Sequence, residues 1–211
     1  MNMKFYMTPG SCSTGIHILL EELEQVFEVY LVNLLAGDNR RPEYLALNPN
    51  GTIPTLVTPD GGALTDWQSI AWWLGKSYGK GKFLPGNEDD RELCQWVMDM
   101  AGKKIHGDGF TRIFVTESYS SDEGRKSMIY RQGEKIVKAG FEEVAPKLEG
   151  RKFVLGEQPC IADYALFYVE FWADRTGIAL PKTLQAHYQR MLRRPAVRQV
   201  LSEEGYGAMF R

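Results

Sequence analysis

The sequence predicts an α/β domain followed by an all-helical domain. Two observations carry this prediction. Strand-like and helix-like segments alternate through the first part of the chain, and a glycine- and proline-rich connector, Gly79 to Asn87, then gives way to long segments of helical periodicity. The boundaries are drawn at 1–80 and 88–211.

Lys4 to Thr8 has the character of a short strand, closed by Pro9-Gly10. Ser13 and Thr14 can cap the helix that follows, whose Ile16, Leu19, Leu20 and Leu23 mark one buried face while Glu21, Glu22 and Glu24 point outward. Phe27 to Leu35, rich in apolar and β-branched residues, supplies a second strand and its exit. A short helical segment falls around Glu43 to Leu47 and runs into the turn Asn48-Pro49-Asn50-Gly51. Thr55 to Thr58 and Ala63 to Thr65 form a hairpin through Pro59-Asp60-Gly61-Gly62. Asp66 can cap a third helix with Ile70, Trp73, Leu74, Ser77 and Tyr78 inward. The order of these elements, with a mixed four-stranded sheet, resembles the thioredoxin fold.

Beyond the connector, residues 89–114, 122–148, 161–176 and 182–192 carry helical periodicity, and Phe153 to Leu155 is the one brief strand-like exception. These segments predict a helical bundle. The bulk composition agrees with a globular chain: 211 residues are 44% hydrophobic and 25% charged, enough apolar material for a core. A formal net charge of −2 gives no reason to expect nucleic acid or an anionic membrane as partner. No run reaches the ~20 apolar residues of a membrane span, and Met1-Asn2-Met3-Lys4 does not open a signal peptide, so the expected location is the cytoplasm. Cys12, Cys94 and Cys160 are too widely spaced for a CxxC pair or a zinc cluster; free thiols and no metal are expected.

Four stretches carry a family resemblance: Lys4 to Ser13 (KFYMTPGSCS), Asn48 to Leu56 (NPNGTIPTL), Leu64 to Ile70 (LTDWQSI) and Cys160-Ile-Ala-Asp163. In order and separation they resemble the cytosolic glutathione transferases, most closely the bacterial beta class. The resemblance implies a homodimeric enzyme that joins glutathione, a co-substrate rather than a bound cofactor, to small hydrophobic electrophiles, with thiol–disulfide or peroxide chemistry as a side activity. The alternatives are a non-catalytic glutathione- or ligand-binding protein and an isomerase of the maleylacetoacetate type. Met7 and Trp67 depart from the family pattern and keep the first alive; for the second, the arginine expected soon after Ser11-Cys12-Ser13 is missing.

The resemblance also implies site residues. Cys12, just before the first helix, is the beta-class cysteine beside the glutathione sulfur. The positive end of the helix dipole predicts that its thiol ionises readily. Ser11 and Ser13 are rival hydroxyl donors, whereas Tyr6 lies on the opposite strand face from its neighbours. Ile53 and a cis Pro54 would present backbone groups to the cysteinyl unit of glutathione. Asp66 and the Trp67 backbone would meet the γ-glutamyl end. His106 lies where the beta class carries an active-site histidine, with a spacing from Trp96 that is longer than in the family; the glycines at 102, 107 and 109 can absorb the difference. His17 suits a structural or pocket-edge role, and His187 is expected to be exposed. Asp163 reads as half of a capping box with residue 160, Cys94 as core. Trp96, Phe110 and Phe114 are candidates to line an electrophile pocket, which in this architecture lies between domains.

Overall fold

In the computed structural model, which describes residues 2–210, strand β1 (Met3–Met7) buries Met3, Phe5 and Met7 and leaves Lys4 and Tyr6 half-buried, the alternation a pleated strand imposes. It pairs in parallel with β2 (Phe27–Leu31), with Phe5 opposite Val29, through the crossover helix α1 (Ser13–Glu22). Antiparallel β3 (Thr55–Val57) and β4 (Ala63–Leu64) complete a mixed sheet of order β2-β1-β3-β4, the thioredoxin-like arrangement.

Helix α1 buries Ile16, Leu19 and Leu20 as its periodicity requires. Neither Ser13 nor Thr14 caps it: Cys12 occupies the capping position and makes no side-chain cap bond, while Ser13 Oγ turns back to accept from the Thr8 N–H at 3.1 Å. A short helix α2 (Pro42–Leu45) precedes the turn at 48–51. Helix α3 (Trp67–Tyr78) is capped as expected, Asp66 Oδ1 accepting from the Ser69 N–H at 2.9 Å. Its buried face is Ile70, Ala71, Leu74 and Gly75; Trp73 is half-buried and Ser77 exposed, a rotation from the predicted stripe.

The chain divides within the connector, between Leu84 and Pro85. The segment from Leu192 onward packs with the first unit rather than with the helical one in which the 88–211 boundary places it, its α9 (Pro195–Leu201) lying against α1. Arg194 anchors it with a two-pronged ion pair to Glu22 at 2.5 and 2.8 Å.

The second unit opens with α4 (Glu88–Asp99), capped by Asn87, and continues as a π-helical turn over Met100–Phe110 into α5 (Thr111–Phe114). The wider π spacing takes up extra residues within a continuous helix and often marks functional segments. Helix α6 (Glu123–Val144) packs closely on it, because a Cβ on Gly140 would meet Ile105 Cγ1 at 2.5 Å. Helix α7 (Ile161–Thr176) is buried from Ile161 through Ala173, so it forms the centre of the unit.

Asp163 holds the start of α7, one oxygen accepting from the Cys160 N–H at 2.7 Å and the other from the Val154 N–H at 2.8 Å. His187, expected to be exposed, is instead fully buried. It lies one turn from Leu184 on the inward face of α8 (Lys182–Leu192), between Asp163 at 3.0 Å and Glu170 at 2.9 Å. The apolar stripe of α8 carries the imidazole inward, and two acidic partners on α7 make its burial tolerable. Cys94 is buried, as expected of a core residue.

Candidate functional site

The loop after β1 is tied to itself by hydroxyls. Ser11 Oγ donates to Thr8 O at 2.6 Å and lies 2.5 Å from Ser13 Oγ, which also reaches Thr8 O at 3.1 Å. Both hydroxyls, expected as rivals for a bound sulfur, are engaged in folding the turn that delivers Cys12 to the start of α1. Trp67 braces the same turn from α3, its indole Nε1–H donating to the Cys12 carbonyl at 3.0 Å. The resemblance carried over only the Trp67 backbone; the bulky side chain therefore has a structural use of its own.

Cys12 Sγ donates to the Ile53 carbonyl at 3.5 Å, across to the cis Ile53-Pro54 bond that the resemblance implied. The expectation of a readily ionised thiol is reversed. Burial pushes the Cys12 thiol up to about 12, outweighing the smaller downward pull of the Cys12 and Ser13 backbone N–H groups. In this state the sulfur is a protonated S–H donor beside an extended backbone segment, not a thiolate.

The segment leading into Pro54 is held by residues that the motifs did not single out for a role. Tyr44 Oη donates to Thr52 O at 2.5 Å, and the buried Asn48 Nδ2 donates to Thr52 O at 2.8 Å and to Thr55 Oγ1 at 3.1 Å. The buried side chain of Glu204 gathers the Gly10 N–H at 2.7 Å, Thr14 Oγ1 at 2.7 Å and His17 Nδ1 at 2.8 Å. Nothing local in the sequence could have paired Glu204 with His17, 187 positions earlier, or with Thr14 and Gly10, 190 and 194 positions earlier. His17 thus has the structural role read for it. Tyr6 is stacked on Tyr30 with ring centroids 4.8 Å apart, on the sheet face away from buried Met7. Asp66 is exposed, its cap leaving one carboxylate oxygen outside the Ser69 bond.

In the helical unit His106 sits on the π-helical turn with Nδ1 3.4 Å from Tyr168 Oη and its ring edge-on to Trp172 at 4.8 Å. Burial pushes its pKa down to about 4, so the imidazole is neutral at pH 7. Phe110 stacks on Phe114 at 5.3 Å, and both meet Trp172 edge-on. Tyr168 and Trp172 complete an aromatic cluster with two of the candidate lining residues. Trp96 is not part of the ring contacts of that cluster and instead carries Lys147 Nζ 5.7 Å above its indole.

Comparison with known proteins agrees with this geometry. Residues 10–77 match the model of the glutathione S-transferase N-terminal domain and residues 110–195 that of the C-terminal domain. The glutathione S-transferase GstA of Escherichia coli O157:H7 is 32% identical over 96% of this chain and 99% of its own. A glutathione S-transferase structure from Xylella fastidiosa superposes with a TM-score of 0.86 at 25% identity, covering 97% of this chain and 99% of that one. A sphingomonad glutathione S-transferase complexed with glutathione does so with a TM-score of 0.81 at 25% identity, over 96% and 98%. No helix among the described residues is long and apolar enough to cross a membrane.

Proposed function

The chain belongs to the glutathione S-transferase family, and from that premise we propose that its glutathione transferase activity runs through Cys12 as a hydrogen-bond donor. It is an enzyme with glutathione as co-substrate. The observation that carries the Cys12 reading is the S–H directed at the Ile53 carbonyl in a thiol kept protonated by burial. When the cysteinyl unit of glutathione pairs with the backbone of Ile53, the thiol can turn from that carbonyl to the glutathione sulfur. A donor there, at the amino end of α1, stabilises the glutathione thiolate and lowers its pKa. The thiolate attacks the electrophilic carbon, the leaving group departs with the bonding pair, and the proton lost by the glutathione thiol goes to solvent.

Asp66 and the Trp67 backbone are assigned to the γ-glutamyl group, with the exposed Asp66 carboxylate as partner of its ammonium. The aromatic cluster of Phe110, Phe114 and Trp172 offers an apolar surface suited to a small hydrophobic electrophile, and neutral His106 is assigned as a hydrogen-bonding group toward it rather than a general acid. Ser11, whose hydroxyl folds the turn, ranks below Cys12 as activator. A homodimer in the cytoplasm is the expected assembly and location.

Retention on immobilised glutathione, followed by assay with a generic aryl halide, tests the reading. Cys12→Ala should still be retained and lose about 10–100-fold in kcat/KM, the worth of a hydrogen bond to a charged atom. Full activity in Cys12→Ala with loss in a folded Ser11→Ala would transfer the role to the serine. A mixed-disulfide substrate reports any exchange chemistry at Cys12 separately.

A further inference from the structure

We propose that His17, Glu21 and Glu203 form a binding site for a divalent transition-metal cation, with Zn2+ the best fit. One ligand atom from each of the three lies within 4.8 Å of the others. The decisive feature is the imidazole. Its Nδ1 is 2.8 Å from Glu204 Oε1, and an ionised carboxylate can only accept, so Nδ1 carries the proton. The other ring nitrogen, Nε2, faces Glu203, whose Oε2 lies 3.7 Å away, beyond hydrogen-bonding distance, and is the nitrogen a cation would take. The His17 side chain is only 6% exposed, so the imidazole is held in place by its surroundings.

The surrounding groups act as an orienting shell. Gln199 Nε2 donates to Glu21 Oε2 at 3.2 Å and to Glu203 Oε1 at 3.0 Å, engaging one oxygen of each carboxylate and leaving the other. Glu204 is itself fixed by Gly10 and Thr14, and a carboxylate behind a ligating histidine is the common second partner at such metals. Glu203 is 49% exposed, which gives a cation a route from solvent and lets the glutamate move in to ~2.0–2.2 Å. One nitrogen and two carboxylate oxygens suit Zn2+ with water in the remaining position, whereas an imidazole ligand disfavours Ca2+ and Mg2+. Cysteine spacing pointed away from a metal, and these ligands escape a spacing argument because they come from opposite ends of the chain.

Metal-stripped full-length protein titrated with Co2+, and with Zn2+ by calorimetry, decides the matter. One equivalent is expected, with ligand-field bands, no thiolate charge-transfer band, and a rise in Tm on adding Zn2+. Glu21→Gln and Glu203→Gln, changes at solvent-reaching side chains, should each weaken binding at least tenfold, and Glu204→Gln about 10–100-fold. Glu143→Gln, on the helical unit, should bind as wild type. The proposal is overturned if wild type shows no binding and no Tm shift, if Co2+ gives a thiolate band, or if the folded glutamine variants bind unchanged.

Discussion

Replacing His187 with leucine tests whether an imidazolium holds the centre of the helical unit together. Nδ1 lies 2.9 Å from Glu170 and Nε2 3.0 Å from Asp163, and all three side chains are sealed from solvent. Burial alone would lower the pKa of this imidazole, but the Glu170 charge and the hydrogen bonds to both carboxylates together outweigh it and raise it from 6.5 to about 10. A shift of that size corresponds to roughly 5 kcal/mol, and stranding the partners of a buried pair costs about 3–5 kcal/mol. His187→Leu should therefore lose about 3–5 kcal/mol, read in urea as a lower midpoint at unchanged slope.

The pH dependence has a definite sign. A histidine whose folded pKa exceeds its unfolded one contributes fully below 6.5, and the contribution fades as pH rises toward about 10. Burial also raises Glu170, from 4.5 to about 7 against the pull of His187, so ionising it tilts the curve the same way at lower pH. Wild-type stability should fall from neutral to alkaline pH, and that of the variant should fall less there. Adding Glu170→Gln removes a stranded carboxylate and should restore part of the loss. A variant within about 1 kcal/mol of wild type, with an unchanged pH profile, would refute the imidazolium and leave only packing.

Other outcomes test the first unit. With its pKa raised from 9.0 to about 12, Cys12 should have about a thousandfold less thiolate than an unperturbed thiol. Iodoacetamide at pH 8 should leave it unlabelled in folded, ligand-free protein and label it in urea; labelling at the free-thiol rate in the native state would contradict the burial argument. Asp66→Ala should cost about 1 kcal/mol by removing the cap of α3, whereas Asp66→Asn keeps the cap and should raise only the KM for glutathione. Gly10 has φ +71°, and a Cβ there would run into the Tyr206 side chain. Gly10→Ala should destabilise by about 1–3 kcal/mol in thermal melts, and a neutral result would mean that the C-terminal segment is not held there.

Much of the local framework was readable because its signals are local. Asp66 caps a backbone group three residues on, Asp163 reaches back three residues, and the Pro59-to-Gly62 turn sets the β3–β4 pairing, all inside one short window. The cis bond at Pro54 came with the family motif and could not be read from periodicity. Tyr44 holds the turn before Pro54 without any mark of that role in the sequence, and Asn48 was legible as a turn residue but not as a buried donor, because any buried polar side chain with matching geometry would serve.

By itself the sequence determined the alternation of strand and helix in the first unit, the helical second unit and the capping roles of Asp66 and Asp163, since periodicity and caps act over one or two turns of chain. Only the tertiary structure decided that Cys12 is a neutral donor, that His187 is enclosed by two acids, and that Glu204 closes on Gly10, Thr14 and His17. The physical reason is common to all three. The protonation and pairing of a buried group depend on desolvation and on charges brought from distant parts of the chain, and neither quantity exists until the chain has folded.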